Sequence, residues 1–493
     1  MKSLLLIMFI FINYAILTFA QAPDTLWTKL YGGSANDKGA SVLQMSNGGF
    51  IITGFTFSFG AGNNDVWLIK TDSFGDTIWT RTFGDSSHEW GGSVQQTLDG
   101  GFIIGGMTNS KGSSRYDFGA WLIKTDRKGY GYVVWDKIYR SANWYDVCRE
   151  AQPTSDGGYI ATGIWGTNGF GWGSLMLLKV DSDGNEIWRK RYSSGNYNEG
   201  YSVKQTLDGG YVVVGSTANF DGNLWLLKTD SLGDTIWTKN YGGIGEDFGL
   251  DVQLTKDGGY IIVGSCGLGA GYDYDVWLLK TDSLGDTLWT RTFGGLINDE
   301  GYSVGCTSDG GYIICGYTES FSAGLDDFWI IKTDSTGSVE WDKVLGGVNS
   351  DWGESIHQTS DGGYIAVGVT ESFGAGGMDV WLIKLGSQPT FSSNEEIAPT
   401  FYTLHQNYPN PFNPRTTITW QSPVSSWQTI KVFDVIGNEI ATLVNEEKEA
   451  GYHSIDFNAS DLPSGIYFYQ FNAGPSSSSG QVFIETKKML LLR

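Results

Sequence analysis

Positive charge is the first thing this chain is short of. Lysine and arginine number 32 against 54 aspartates and glutamates, for a formal net charge of -22 and a pI near 4.5. A phosphate backbone needs clustered Lys and Arg, so nucleic acid is excluded as a partner. Four cysteines in 493 residues are too few for a disulfide-built scaffold. Proline is scarce until the C-terminal region, with ten in all. Only His88 and His357 precede residue 387, and neither has a motif partner for zinc or base-activated nucleophilic chemistry. Beyond the first twenty residues no run is apolar enough to span a bilayer, so a transmembrane segment in the mature chain is excluded.

Glycine, by contrast, is abundant at 70 residues, and aromatics make up 14% of the chain. That balance suits many short strands joined by tight turns rather than disorder. Residues 1–20 read as an export signal peptide. Lys2 supplies the positive start, Leu4 to Ile16 the apolar stretch, and Thr18-Phe19-Ala20 a cleavage site before Gln21. A membrane anchor is the alternative. Cys306 and Cys315 fall on two strands of one hairpin, where a disulfide and small buried thiols are both open readings.

A sequence unit recurs seven times between about Thr25 and Gly386. One half, Asp-Val-Trp-Leu-Ile/Leu-Lys-Thr-Asp-Ser-x-Gly-Asp-Thr-x-Trp, is clean at Asp65–Trp79 and Asp275–Trp289. The other half, Ser/Gly-Val-x-Gln-Thr-x-Asp-Gly-Gly, has its turn at Asn47, Asp99, Asp156, Asp208, Asp257, Asp309 and Asp361. The turns are spaced by 52, 57, 52, 49, 52 and 52 residues, just above the usual period of propeller blades. Each period holds four strand-like runs. In the fifth these are Asp251–Thr255, Tyr260–Ser265, Val276–Thr281 and Thr287–Phe293, rich in β-branched and aromatic residues. Asp257-Gly258 and Ser283-Leu284-Gly285-Asp286 supply hairpin turns. The last repeat lacks its final Trp strand, and an orphan copy of it stands at Asp24–Gly33. The expectation for residues 21–386 is an all-β, seven-bladed β-propeller of four-stranded blades, closed by that N-terminal strand. The Ser-Val-x-Gln-Thr strands would then be innermost.

Trp27, Trp79, Trp135, Trp188, Trp237, Trp289 and Trp341 recur once per outer strand, which argues for packing between blades rather than a cofactor stack. The pattern Asp-x-x-Gly-x-x-x-Trp, at Asp72/Gly75/Trp79 and Asp282/Gly285/Trp289, resembles the blade signature of quinoprotein-type propellers. One residue fewer separates Asp from Gly than in the full signature, so only blade architecture is implied, with no quinone cofactor.

Four residues before each innermost-strand Ser position stand Asp37, Glu89, Asp146, Asn198, Asp247, Asp299 and Asp351. The six carboxylates at equivalent height could ring the channel mouth and hold Ca2+ through oxygen ligands. Alternatively, each locks its own loop by accepting loop N–H groups. Departures from the repeat point elsewhere. His88, Trp90, Tyr116, Trp144, Tyr145, Trp165, Phe170, Trp172, Tyr197 and Trp352 fall in loops expected on one face, and the third repeat is among the least regular. Such aromatics stack on sugar rings or grip a peptide, or else fold long loops down upon themselves. No catalytic residues are identified; an acidic ring always offers two carboxylates at some useful distance.

From Ser387 the composition changes to a polar linker through Thr400. Beyond it, Thr417–Trp420, Thr429–Val435, His453–Phe457 and Ile466–Phe471 read as strands of a small Ig-like β-sandwich. Phe401-Tyr402-Thr403-Leu404-His405-Gln406-Asn407-Tyr408-Pro409-Asn410-Pro411-Phe412-Asn413-Pro414 resembles the opening of the type A C-terminal sorting domain of the type IX secretion system of Bacteroidetes and related bacteria. Val432–Gly437, Leu462–Tyr469 and Lys487–Leu492 continue the resemblance across residues 401–493. It implies partnership with the type IX machinery and a secreted or surface-held product associated with the outer membrane. The leading expectation for the remainder is a non-catalytic binding or adhesion propeller for a glycan or a surface protein. A carbohydrate-active hydrolase or lyase and a structural envelope protein are the alternatives, since one fold hosts many roles.

Overall fold

The computed structural model describes residues 21–110, 112, 117–126, 130–141, 145–166, 173–193, 197–218, 222–243, 245–267, 273–388, 402–404, 407, 410, 412, 414–474 and 483–491. The signal peptide read at residues 1–20 lies outside them, as does most of the linker. The chain divides into two compact units after Gln388. No helix among the described residues is long and apolar enough to cross a membrane.

The first unit is all-β, built from repeated four-stranded antiparallel sheets. In the fifth repeat the strands are Asp247–Leu254, Tyr260–Gly267, Tyr274–Thr281 and Thr287–Phe293, hydrogen-bonded in chain order. The first strand starts four residues earlier than its apolar run suggested. A bulge between Gly249 and Asp251 shifts the register and lets pairing continue back to Asp247 opposite Cys266. The same bulge recurs between Gly39 and Ser41, and between Gly353 and Ser355. Two of the sheets, covering Val147–Tyr192 and Tyr197–Tyr241, are joined by a single parallel bridge from Gly173 to Tyr197. The N-terminal strand Thr25–Tyr31 pairs antiparallel with Asp379–Leu385, at the far end of the unit.

The burial pattern follows the strand's place in its sheet. Middle strands such as Asp327–Thr333 are buried at every position, whereas the fourth strand Thr287–Phe293 alternates exposed and half-buried. A middle strand covered on both faces therefore reads as an unbroken apolar run, and an edge strand as an alternation. Cores form between consecutive sheets. Val212, Leu226, Val252, Ile262 and Leu279 make one of them. Another joins the first repeat to the last through Val42, Ile52, Ile69, Ile365, Val367 and Leu382.

Fourth-strand Trp residues pack against the first aromatic of the next sheet's second strand, edge-on in Trp135–Tyr159 at 5.7 Å and Trp341–Tyr364 at 5.6 Å and tilted in Trp237–Tyr260 at 6.1 Å. Where the next sheet closes with a second hairpin turn, the Trp also lies beneath that turn. Gly285 has φ +78°, and a β-carbon there would sit 2.9 Å from the Trp237 ring. Asp282 Oδ1 closes the turn by accepting the Leu284 and Asp286 N–H groups at 2.8 Å. The spacing Asp-x-x-Gly-x-x-x-Trp thus encodes a turn and a socket for the preceding sheet's Trp.

All four cysteines are free. Cys315 is buried opposite Ser303, while Cys306 is exposed and faces Tyr312 across the ladder. The register separates them, so the disulfide reading gives way to free thiols.

The second unit holds a three-stranded sheet of Thr403–Leu404, Arg415–Ser422 and Gly451–Asn458. Its partner is a four-stranded sheet in the order Glu439–Lys448, Ser426–Phe433, Gly465–Gly474, Phe483–Leu491, consistent with a β-sandwich. Trp420, Ile430, Val432, Tyr469, Phe471 and Met489 fill its core. The motif at its start is tied in on several sides. The Asn407 N–H donates to Tyr469 Oη at 2.7 Å, and the Leu490 N–H donates to Asn410 Oδ1 at 2.7 Å. Phe412 bridges to Leu491.

Candidate functional site

The first strands of the seven repeats, Asp37–Gln44, Glu89–Gln96, Val147–Pro153, Tyr197–Gln205, Asp247–Leu254, Asp299–Cys306 and Asp351–Gln358, together wall one cavity of about 400 Å³. These strands are linked side to side at the position that is Ser in most repeats. Ser93 Oγ accepts the Ala151 N–H at 3.0 Å, Ser303 Oγ the Ile356 N–H at 3.3 Å, and Ser355 Oγ the Val42 N–H at 3.4 Å. A short acceptor at one register therefore satisfies the backbone of the neighbouring strand.

Two repeats replace that Ser with a longer acid and keep the link. Glu150 Oε2 accepts the Val203 N–H at 2.7 Å, and Asp251 Oδ2 accepts the Val304 N–H at 3.0 Å. The strand between them carries Lys204, whose Nζ lies 2.7 Å from Glu150 Oε1 and 3.8 Å from Asp251 Oδ1. Burial works against the Lys204 charge, but the two carboxylates outweigh it and hold the ammonium above its ordinary pKa. Burial raises Asp251, and Lys204 only partly offsets that. His357 lies on the same wall and is pushed down to about 4 by burial, with the Lys204 charge adding to the effect.

Nearer the start of the strands, Arg149 Nε donates to Glu199 Oε1, which also partners Tyr197 Oη through the other oxygen at 2.8 Å. The guanidinium lies over Trp90 at 5.2 Å and Tyr201 at 5.6 Å. Lys38 pairs with Glu354 at 2.6 Å and lies 5.6 Å over Trp352, whose Nε1 donates to the same carboxylate at 2.8 Å. Tyr317 Oη donates to Glu300 Oε1 at 2.9 Å beside Tyr302, and burial raises that carboxyl.

The aromatic positions expected to form one face separate into groups. Trp90 and Tyr197 meet through the Arg149–Glu199 pair, and Trp352 is held by Lys38 and Glu354 as above. Trp165 packs under Arg189 at 5.1 Å, and Tyr145 stands edge-on to Phe118 at 5.7 Å. His88 Nδ1 is 2.7 Å from Asn64 Oδ1. Tyr116, Trp144, Phe170 and Trp172 lie outside the described residues.

The acidic series begins the first strands rather than lining the cavity, whose walls start three residues further on. Asp37 Oδ2 accepts the Gly33 N–H at 2.8 Å and the Ser58 hydroxyl at 2.6 Å. Glu89 accepts the hydroxyls of Thr108 and Ser110 at 2.8 Å. Asp146 takes the Gly166 N–H at 3.0 Å, and Asp247 the Gly243 N–H at 2.9 Å. Asp299 and Asp351 accept from Gly295 and Gly347 at 2.8 Å. Asn198 is buried at the equivalent place. Burial raises Glu89, Asp146 and Asp247 against these hydrogen bonds. Among the described residues no three or more His, Cys, Asp or Glu side chains converge as metal ligands.

Sequence reasoning passed over Arg149, Glu150, Glu199, Lys204 and Asp251. The available signal was a departure from consensus: Glu150 and Asp251 stand where five repeats have Ser, and Lys204 where Gln95, Gln152 and Gln253 stand in three others.

Among known proteins, the secretion system C-terminal sorting domain family matches residues 406–485. No curated protein matches the chain. Its fold is similar to two extracellular domains assigned to hybrid two-component systems of B. thetaiotaomicron. One is 9% identical with a TM-score of 0.41, covering 93% of this chain and 56% of the other. The second is 11% identical at 0.42, covering 96% and 60%. The chain thus spans less than two thirds of their length. A protein of unknown function from Dyadobacter fermentans is 11% identical at 0.40, with 74% and 99% covered. The C-terminal unit is a sorting domain, and the chain is addressed for secretion and the cell surface.

Proposed function

We propose that this is an exported seven-bladed β-propeller that binds a glycan without transforming it, carried outward by the type IX machinery through its sorting domain. The carrying observation is convergence: residues that break the repeat gather on one cavity wall, where a fold built by duplication has no need of them. Closure into seven blades is supported by the pairing of Thr25–Tyr31 with Asp379–Leu385 and by the Ser355–Val42 link between last and first repeats. Binding rather than hydrolysis is favoured by the setting of the two acids. Glu150 and Asp251 each accept a neighbouring strand's N–H and flank Lys204, which makes them fixed parts of the wall.

The test is binding of the full mature chain to a broad glycan array, with and without Ca2+. Saturable binding to a defined glycan set supports the reading, and a Ca2+ requirement would add the cation as a ligand. Silence under both conditions overturns it in favour of a protein partner or a structural role.

A further inference from the structure

The wall of the cavity carries paired charges and unpaired neutral-type hydrogen-bonding groups, and the distinction between them identifies what fits. The formal charges are spent internally: Arg149 on Glu199, Lys204 on Glu150 and Asp251, Lys38 on Glu354. Among the described lining side chains, Arg149, Gln95 and His357 have spare donors, while Gln152 and Gln253 donate to Glu150 and Asp251 and keep only their amide oxygens as acceptors. Arg149 is anchored through Nε alone, so its Nη groups remain as donors, and its side chain keeps 30% of its surface while Glu199 keeps 2%. Gln95, half-buried on the neighbouring strand, has no protein partner and offers one donor group and one acceptor. His357, also without a partner, offers one donor and one acceptor in its neutral form.

A free carboxylate or phosphate would meet one donor fork already neutralised by Glu199, with Glu150 on the adjacent residue of the same strand. A free amine would find no unpaired carboxylate. Hydroxyl groups, each both donor and acceptor, match the spare groups of Arg149, Gln95 and His357 and the free amide oxygens alike. The space matches too. Ala40 and Gly92 stand where other first strands carry Arg149, Tyr201, Tyr302 or Glu354, which opens the cavity on that side. At about 400 Å³ it lies in the roughly 300–1,000 Å³ range of small-ligand sites. Tyr201 and Tyr302 add aromatic surface to the wall.

We infer that the cavity is a subsite for an uncharged sugar end of a glycan, held by Arg149 Nη, Gln95 and His357 through the sugar hydroxyls. This rests on the glycan-binding reading above and specifies its location and ligand class.

The probes are the neutral disaccharides lactose, maltose, cellobiose, mannobiose and chitobiose, with glucuronate and glucosamine as charged controls, titrated into the full mature chain at pH 7 by calorimetry. At least one neutral disaccharide should bind saturably and both charged monosaccharides should fail. Arg149→Lys keeps the charge for Glu199 but loses the fork, and should weaken binding at least about tenfold, the scale of a lost hydrogen bond to a charged group. Gln95→Ala and His357→Ala should each weaken it several-fold at unchanged melting temperature; they carry the test should Arg149→Lys not fold. Leu207→Ala, on an exposed hairpin turn outside the cavity lining, should change nothing. Neutral-sugar binding indifferent to all three cavity variants would overturn the location while leaving a glycan-binding propeller intact. Preference for a charged control would overturn the ligand class alone. Array binding with no response to any disaccharide would overturn the end-on subsite, and silence of array and panel together would sink both readings.

Discussion

Lys204 Nζ and Glu150 Oε1 meet at 2.7 Å across two neighbouring first strands, each side chain only 12% exposed. Neither residue type belongs to the repeat at its position, so the pair is an addition to the fold rather than a part of it. A buried pair returns little net stability, because desolvating both ions offsets their attraction. Removing one partner is another matter.

Lys204→Met leaves Glu150 buried without its cation and is expected to cost about 3–5 kcal/mol. Glu150→Ser with Lys204→Gln restores residues that other repeats use at both positions, and should recover most of that loss. Urea unfolding of the single and double variants measures the difference. A double variant as unstable as Lys204→Met would mean that the pair supports the fold itself.

The glycine of the second hairpin turn and the glycine of the first differ in what surrounds them. Gly285→Ala must both hold φ near +78° and push a methyl into the Trp237 ring 2.9 Å away. Gly258 has φ +84°, but a β-carbon there meets nothing within 4 Å. Gly258→Ala should therefore cost only the backbone term of about 1–2 kcal/mol. Gly285→Ala should cost clearly more, because packing strain adds to it. Equal melting temperatures for the two variants would remove the socket role assigned to the turn.

These elements mark how far the sequence could be read. Strand positions, hairpin turns and the packing role of Trp237 follow from spacing alone, because one unit is written seven times and each copy repeats the local rule. The sorting domain was legible for a different reason: a long motif whose Asn407, Asn410 and Phe412 all tie into the sandwich. The cavity wall was not legible. Glu150, Lys204 and Asp251 are about fifty residues apart in sequence, and each departure taken alone looks like drift. Their meaning arises from side-to-side contact between strands of different repeats, and a strand's own sequence does not specify that register. The acidic series allowed two readings in sequence, a ring at the channel mouth or a lock on each loop, and Asp37 and Asp299 accept N–H groups of their own loops.

Asp257 supports the fold in an acid-sensitive way. Burial nudges its carboxyl upward, but hydrogen bonds from Lys280, Thr255 and Gly259 and the Lys280 charge outweigh this and hold it at about 2. The unfolded value is about 3.9. Because the folded pKa is depressed, the stabilisation is complete above about pH 4 and is lost as pH falls through about 2. Asp257→Asn keeps the turn geometry and removes the charge. It should lower the melting temperature at pH 7, with the gap from the natural protein closing between pH 4 and pH 2. The Asp257 side chain is 57% exposed, so solvent screening keeps the effect modest. A gap that persists unchanged at pH 2 would assign the loss to packing instead.

His357 sets a second, higher window. Its folded pKa of about 4, depressed by burial and by Lys204, lies below the ordinary 6.5 of an unfolded histidine. Between those values the unfolded chain takes up a proton that the folded chain refuses. Stability is therefore full above about pH 6.5 and falls as pH drops toward 4, by up to about 3 kcal/mol if the whole shift is expressed. His357→Gln, which places another neutral hydrogen-bonding group on the wall, should flatten the stability profile across this window and leave the loss near pH 2 to Asp257. Lys204→Met should raise the His357 pKa toward its ordinary value, because one of its two depressing causes is gone. NMR titration of the imidazole reads that shift directly. An imidazole that titrates near 6.5 in the folded protein would show His357 to be charged in mildly acidic surroundings, and a wall bearing that charge would no longer select for hydroxyls there.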